Sequence, residues 1–176
     1  LHSVVRRQRQ MCIRDSNARA PMVTVGDTAP AFTLRATDKR EVSLSEFSGQ
    51  TIVMVFYPGA FTGVCDKELC AFRDSMDALN KADAVVLGIS VDSPWANAEF
   101  ARKYNLEFEL LSDLNREAVH AYDASFVGLG GIDGYVSANR VVIIVDSAGV
   151  VRYRWVAENP GVDPNYDEVV AAAAAL

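Results

Sequence analysis

Short apolar runs, each bounded by turn-forming residues, recur along most of this chain. Runs of about four to eight apolar residues are typical of buried strands, and the longer segments between them have the apolar spacing of helices. The turn at 146–149 joins the last two runs into a hairpin. The predicted strands are 51–56, 84–89, 107–111, 141–145 and 150–156, and the predicted helices are 63–79, 95–103, 116–122 and one from about 165 to the end.

Two shorter runs near the start, 31–34 and 41–44, predict a small hairpin. Strands that alternate with helices form a sheet with helices packed on its faces. The pattern therefore predicts an α/β fold, with a central mixed β-sheet flanked by helices and an N-terminal β-hairpin. Trp95 and Trp155 lie in apolar segments, so we expect both to be packing residues.

The first 21 residues differ in composition from the rest. They contain five arginines, one acidic residue and no regular apolar spacing, which predicts neither a signal peptide nor a folded element. The string 7–16 resembles translated sequencing-adaptor read-through, and Met22 resembles a natural start. We therefore expect 1–21 to be a non-native or disordered leader, in which Cys12 has no catalytic role, and 22–176 to form one domain. A basic arm that binds nucleic acid is the alternative.

The charge of the chain limits its partners. The whole sequence has 17 basic and 23 acidic residues, and without the leader 12 basic and 22 acidic residues remain, a net charge of −10. Such a surface argues against DNA, RNA or an anionic membrane as a partner. It resembles proteins of salt-loving microbes, and an ordinary acidic cytosolic enzyme is the alternative. The four remaining lysines are at 39, 67, 81 and 103.

Several classes of site and segment are not expected. No apolar run approaches the roughly 18 residues that a membrane-spanning helix needs. Two histidines, three cysteines and no Cys-x-x-Cys pair predict no metal site. The glycine-rich stretch 128–131 lacks the lysine of a phosphate-binding loop, so we interpret it as a turn.

The residue with the clearest chemical context is Cys65. Pro58 and Gly59 end the strand 51–56, and Thr62 is placed to cap the following helix, which puts Cys65 in its first turn. Unpaired N–H groups and the helix dipole favour negative charge there, so we expect a thiol that ionises near neutral pH. The Thr62 hydroxyl can bind the Cys65 N–H or its sulfur, and Pro58 can form a wall of the site. A small buried hydrophobic residue is the alternative role for Cys65.

Two charged residues are candidates for the same site. Glu68 lies about one helical turn after Cys65, and a carboxylate beside a thiolate raises the thiol pKa, so Glu68 needs a cationic partner. Arg140 precedes the strand 141–145 and can pair with Glu68, stabilise the thiolate and bind peroxide oxygens. A solvated surface charge is the alternative role for Arg140.

Pro58, Thr62 and Cys65 together resemble the Pro-x-x-x-Thr-x-x-Cys signature of the peroxiredoxins, thiol peroxidases of thioredoxin-like fold. The resemblance continues through 88–94, through the Leu-Leu-Ser-Asp segment and through the strand that Arg140 precedes. It implies a thioredoxin-like fold and reduction of hydrogen peroxide or organic hydroperoxides without a cofactor. It also implies that Cys65 attacks the peroxide and becomes a sulfenic acid, with the other candidate residues around it.

Cys70, five residues after Cys65, matches the spacing of the bacterioferritin-comigratory-protein type, also called the Q type. In that type the second cysteine resolves the sulfenic acid into an internal disulfide. The stretch 59–63 instead resembles the one-cysteine, alkyl-hydroperoxide-reductase E-like branch. On an intact helix the two Cα atoms would be about 8.7 Å apart, beyond the roughly 7 Å limit of a disulfide, so a bridge requires unwinding. A core-facing cysteine that never bonds is the alternative role for Cys70.

The resemblance also implies partners and a location. We expect a peroxide substrate, a thioredoxin-like or glutaredoxin-like reductant, a monomer or homodimer, and a cytoplasmic location. A thioredoxin-type disulfide oxidoreductase is disfavoured, because the segment from Cys65 to Glu68 lacks its second cysteine. A non-enzymatic redox sensor that uses Cys65 stays open.

Overall fold

A mixed β-sheet forms the centre of the computed structural model, which describes residues 22–176. The expected leader at 1–21 therefore lies outside the described residues. The strands are β1 (Thr33–Ala36), β2 (Glu41–Ser43), β3 (Thr51–Phe56), β4 (Ala84–Ser90), β5 (Glu109–Ser112), β6 (Ser125–Val127), β7 (Val136–Ala138), β8 (Val141–Val145) and β9 (Val151–Val156). The helices are α1 (Val64–Asp74), α2 (Met76–Lys81), α3 (Pro94–Tyr104), α4 (Glu117–Ala121) and α5 (Tyr166–Ala174).

The sheet has seven strands in the order β2-β1-β5-β4-β3-β8-β9, and β6 and β7 form a separate hairpin. Strands β3, β4 and β5 are parallel to one another, whereas β8 runs antiparallel to β3 and β9 antiparallel to β8. The hairpin of β1 and β2 joins the sheet through β5. The predicted mixed sheet and N-terminal hairpin are therefore confirmed, and β3 lies in the interior of the sheet.

Strand β3 is buried along its whole length and contributes to two apolar clusters. Met54 and Phe56 face a cluster that includes α4, and Val53 and Val55 face the cluster that includes α1, α2, α3 and α5. The chain thus leaves the end of β3 from the middle of the molecule. The loop that follows therefore starts from a buried interior strand.

Some elements differ from the sequence prediction. The predicted helix 63–79 is two helices, because the Ser75 hydroxyl donates to the Ala71 carbonyl at 2.9 Å and the backbone leaves helical geometry there. The hairpin of β6 and β7 was not predicted, and the glycine-rich stretch forms a 3-10 turn in its loop. No helix within residues 22–176 combines the length and the apolar character that a membrane span requires.

The expectation that both tryptophans are packing residues is wrong for Trp95, which is 66% exposed. It lies in the first turn of α3, and its ring faces the ammonium group of Lys39, which is 5.6 Å from the ring centroid. Trp155 is half-buried in β9 and packs against the core as expected. The apolar residues that neighbour Trp95 in the sequence thus did not predict that its side chain lies on the exposed face of α3.

Candidate active site

The candidate site begins with a tight loop between β3 and α1. Pro58 and Gly59 are buried at its start, and the Tyr57 N–H still donates to the Ile89 carbonyl of β4 at 3.0 Å. Phe61 and Gly63 have positive φ angles of 62° and 67°, which non-glycine residues such as Phe61 adopt rarely. The positive φ angles therefore restrict the backbone of the loop between the sheet and α1.

The Cys65 sulfur is fully buried in the first turn of α1. The Thr62 hydroxyl lies 2.8 Å from this sulfur and 2.8 Å from the Gly59 carbonyl oxygen. A hydroxyl has one hydrogen, so Thr62 can donate to either acceptor and can turn toward the sulfur when it is a thiolate. The prediction that Thr62 caps the helix is wrong, because Gly63 occupies the cap position with its positive φ, but the predicted contact with the sulfur is present.

Arg140 reaches the same sulfur from the start of β8. Its side chain is only 1% exposed, and Nη2 lies 3.1 Å from the Cys65 sulfur. Nη1 forms an ion pair with the buried Glu68, and Nε donates to the Pro160 carbonyl at 2.7 Å. The pairing that the sequence predicted between Glu68 and Arg140 is therefore present, and Arg140 is not a solvated surface charge.

Burial dominates the protonation of the two acidic groups. It raises the pKa of Glu68 to about 7, although the charge of Arg140 acts in the opposite direction. Burial also raises the pKa of the Cys65 thiol, and it outweighs the lowering by Arg140 and by the Thr62 hydrogen bond. The expected low thiol pKa is thus wrong for this closed site, because loss of hydration outweighs the favourable groups around the sulfur.

A partly buried polar network holds the loop and was missed from the sequence. Asp92 accepts a hydrogen bond from the Ala60 N–H at 2.7 Å and another from the Ser90 hydroxyl at 3.2 Å. Asn97 of α3 accepts from the Tyr57 hydroxyl at 2.7 Å. The segment 88–94 contributed to the family resemblance, but nothing in its spacing pointed to a contact with the loop.

Cys70 lies half-buried on the intact α1, and both it and Cys65 are free thiols. Since α1 is continuous from Val64 to Asp74, the two cysteines cannot form a disulfide in this conformation. Among residues 22–176, no group of three or more His, Cys, Asp and Glu side chains could hold a metal ion. The arrangement therefore centres on one thiol with a cation and a hydroxyl beside it.

The chain matches known proteins over most of its length. Residues 25–154 match the AhpC/TSA family. Over 131 residues the chain is 42% identical to the chloroplastic peroxiredoxin Q of Oryza sativa subsp. japonica, a match that covers 74% of this chain and 58% of that protein. Over 132 residues it is 37% identical to peroxiredoxin Bcp of Escherichia coli (strain K12), covering 73% of this chain and 82% of that protein.

A solved structure agrees with these matches. The crystal structure of peroxidoxin BcpB from Mycobacterium tuberculosis is similar to this fold with a TM-score of 0.77 at 26% identity, over 88% of this chain and 98% of that one. The predicted thioredoxin-like fold is thereby confirmed. The chain spans about 58% of the length of the rice relative that it matches. With its sequence and its fold in agreement, the chain belongs to the AhpC/TSA family and, within it, to the Bcp or Q type of peroxiredoxin.

Proposed function

We propose that this protein is a thiol peroxidase that reduces hydrogen peroxide and organic hydroperoxides and needs no cofactor. The observation that carries the proposal is the convergence of two donors on one sulfur: the Arg140 guanidinium at 3.1 Å and the Thr62 hydroxyl at 2.8 Å. Both stabilise negative charge on the Cys65 sulfur, and the thiolate is the form that attacks peroxides.

In the first step, the Cys65 thiolate attacks the terminal oxygen of the peroxide. An S–O bond forms as the O–O bond breaks, and the departing alkoxide or hydroxide takes up a proton to leave as alcohol or water. Arg140 and Thr62, which both contact the sulfur, and the Cys65 N–H stabilise the charge as it moves from sulfur to oxygen. Asp92 supports the loop through the Ala60 N–H.

In the second step, Cys70 resolves the Cys65 sulfenic acid into a disulfide with release of water. Because the bridge is out of reach on the intact helix, the first turns of α1 must unwind before it forms. A thioredoxin-like or glutaredoxin-like dithiol then restores both thiols by exchange. The monomeric or homodimeric state and the cytoplasmic location stay predictions, and the rice relative is named as chloroplastic.

A second candidate is a one-cysteine peroxidase, in which an external thiol resolves Cys65. The intact α1 favours it, because the helix keeps the two cysteines apart. A redox sensor that uses the same thiol would react with peroxide but need not turn over.

The decisive experiment measures turnover of the full chain with Cys12→Ser, which removes the additional thiol. The reduced protein is mixed with peroxide and either a thioredoxin or a glutaredoxin system, and peroxide loss is followed. We expect continuous turnover, and none above background after Cys65→Ser, because a serine hydroxyl supplies no comparable nucleophile at neutral pH. Turnover that survives Cys65→Ser would overturn the proposal, and a single stoichiometric reaction with both systems would favour the sensor.

A further inference from the structure

Tyr104, the last residue of α3, contacts the segment of α1 that carries both cysteines. Its hydroxyl donates to Asp66 Oδ2 at 2.7 Å, and its backbone carbonyl accepts from Arg73 Nη1 at 2.7 Å. Asp66 directly follows Cys65, and Arg73 comes three residues after Cys70. The two hydrogen bonds therefore bracket the segment that must unwind before a disulfide can form.

The Asp66 carboxylate depends on the tyrosine hydroxyl. Its other oxygen, Oδ1, is buried and has no hydrogen-bond partner within the described part of the chain. A partly buried carboxylate without hydrogen bonds is costly, so loss of the Tyr104 contact would disfavour the folded position of Asp66. The hydrogen bond to Asp66 also raises the pKa of the Tyr104 hydroxyl, which keeps it in the protonated, donating form.

Tyr104 is itself fixed by its surroundings. Its ring packs edge-on against the fully buried Phe100, with centroids 5.1 Å apart, and Lys103 Nζ lies 5.1 Å from the Tyr104 ring centroid. Helix α3 packs against β5 of the central sheet. Because the tyrosine is anchored to the sheet through α3, a break in its bond to Asp66 loosens the start of α1 and leaves α3 in place.

We propose that Tyr104 is a positioning residue that sets the rate of disulfide formation. It does so by holding the helical segment from Cys65 to Cys70 folded, which delays its unwinding. This inference rests on the resolving role proposed above for Cys70. In the step concerned, the Cys70 sulfur attacks the Cys65 sulfenic sulfur. The S–S bond forms, the S–O bond breaks, and the oxygen leaves as water with the Cys70 proton, so no outside oxidant or reductant takes part.

The hydrogen bond between Tyr104 and Asp66 has a second consequence, which concerns the oxidised thiol. While α1 stays folded, the Cys65 sulfenic acid has no resolving partner and can react with a second peroxide to form a sulfinic acid. By keeping α1 folded, Tyr104 thus prolongs the lifetime of the sulfenic acid. This effect acts through Asp66 and requires no contact of Tyr104 with the peroxide.

The test compares full chains carrying Cys12→Ser, with and without Tyr104→Phe. Reduced protein is mixed with one equivalent of hydrogen peroxide, quenched with a thiol alkylator and a sulfenic-acid probe, and analysed by mass spectrometry over time. We expect Tyr104→Phe to form the Cys65–Cys70 disulfide about tenfold faster, the usual scale for loss of a hydrogen bond to a charged group. Peroxide consumption should stay within about twofold, and less sulfinic acid should form at high peroxide, because the reacting groups are untouched.

Two further variants separate this role from general loosening. Tyr153→Phe removes a matched tyrosine–carboxylate hydrogen bond, to Glu168 at 3.1 Å between β9 and α5, and should leave every rate unchanged. Asp66→Ala should accelerate disulfide formation as Tyr104→Phe does. Since Tyr104 acts through Asp66, the double variant should be no faster than Asp66→Ala alone.

Four results overturn the inference. If Tyr104→Phe forms the disulfide at an unchanged rate, only the inference about Tyr104 is overturned, and the proposed function is left intact. Additive effects of Tyr104→Phe and Asp66→Ala, or slower peroxide consumption in Tyr104→Phe, overturn it by showing that the tyrosine acts elsewhere. If the chain with native Tyr104 forms no Cys65–Cys70 disulfide, the resolving role of Cys70 fails and this inference fails with it.

Discussion

The Arg140 guanidinium serves two acidic side chains at once. It forms an ion pair with Glu68 and lies 3.1 Å from the Cys65 sulfur, and all three groups are buried. An ionised Glu68 raises the pKa of Cys65 and also competes for the charge that would stabilise the thiolate. The protonation state of Glu68 therefore controls how strongly Arg140 acts on the sulfur.

Glu68 should contribute a pH dependence to stability. Burial raises its pKa to about 7 in the folded protein, whereas an unfolded glutamate titrates near about pH 4.3. Between these values the folded state binds more protons than the unfolded state, so this group lowers the free energy of unfolding as pH rises. In Glu68→Gln that loss is absent, and the stability of the variant relative to the native chain should increase with pH.

Denaturant unfolding of the two reduced proteins at about pH 5 and about pH 8 measures this difference. Subtracting the unfolding free energies of the two proteins at each pH cancels the titrating groups that do not interact with Glu68. A stability difference that is equal at both pH values would mean that folding does not raise the pKa of Glu68.

At the residue scale, the sequence predicted the members of the site better than their environment. Thr62, Cys65, Glu68 and Arg140 meet as expected, because the motif fixes the local spacing and the charges leave few possible partners. The contact of Asp92 with the loop joins residues 32 positions apart, which no local pattern reveals. The raised pKa of Cys65 could not be predicted from the sequence either, because the burial that causes it is a property of the folded molecule.

At the scale of elements, α1 is short and depends on its packing. It has 11 residues, below the roughly 12 to 15 at which isolated helices become stable in water. Leu69 and Phe72 bury its apolar side, and the Phe72 ring packs edge-on against Tyr166, 5.6 Å between centroids. Unwinding of the end that carries Cys65 and Cys70 would therefore displace Leu69, while Phe72 can keep the rest of the helix in place.

Cys70→Ser should separate the peroxide step from the unwinding step. The variant, built on Cys12→Ser, should still consume one equivalent of peroxide, because Cys65 carries out that chemistry alone. It should then accumulate the sulfenic acid and over-oxidise more readily, since no thiol traps the intermediate. Mass spectrometry follows the products, and far-UV circular dichroism should show loss of helix on oxidation of the Cys70-containing chain only. Equal helix loss in both proteins would contradict the disulfide as its cause.

Strands and helices were predicted unequally well. The bounds of β3 and β8 are those predicted, because continuous apolar runs between turn signals have few alternatives. The helix starting near residue 63 was predicted, but its break at Ser75 was not, since a serine at a helix position bonds the preceding turn only in some environments. The three-residue strands β6 and β7 are too short to produce a recognisable alternation.

At the scale of the whole molecule, acidic charge is poorly balanced. Every ion pair found among residues 22–176 uses an arginine, and the four lysines of this region take part in none. The full chain carries a net charge of −6. Like charges spread over one surface repel one another and disfavour the compact state.

We expect the protein to unfold at a higher temperature in molar potassium chloride than in dilute buffer, because salt screens this repulsion. Surface ion pairs are screened as well, but each contributes only about 0 to 1 kcal/mol. Thermal unfolding followed by circular dichroism measures the effect. The gain should vanish near the isoelectric point, where net repulsion is absent, and a melting temperature that falls with salt at neutral pH would refute the expectation.

The division of the site between β8 and α1 has a consequence for redox energetics. Arg140 is held at the start of β8, whereas Glu68 and Cys65 both belong to the helix. If the first turns of α1 unwind on oxidation, both partners leave and a buried guanidinium remains without an anion, which is costly. The disulfide form would carry that cost and reduction would relieve it, which shifts the couple toward a more oxidising reduction potential. The ion pair that organises the thiol for peroxide would thus also favour its regeneration.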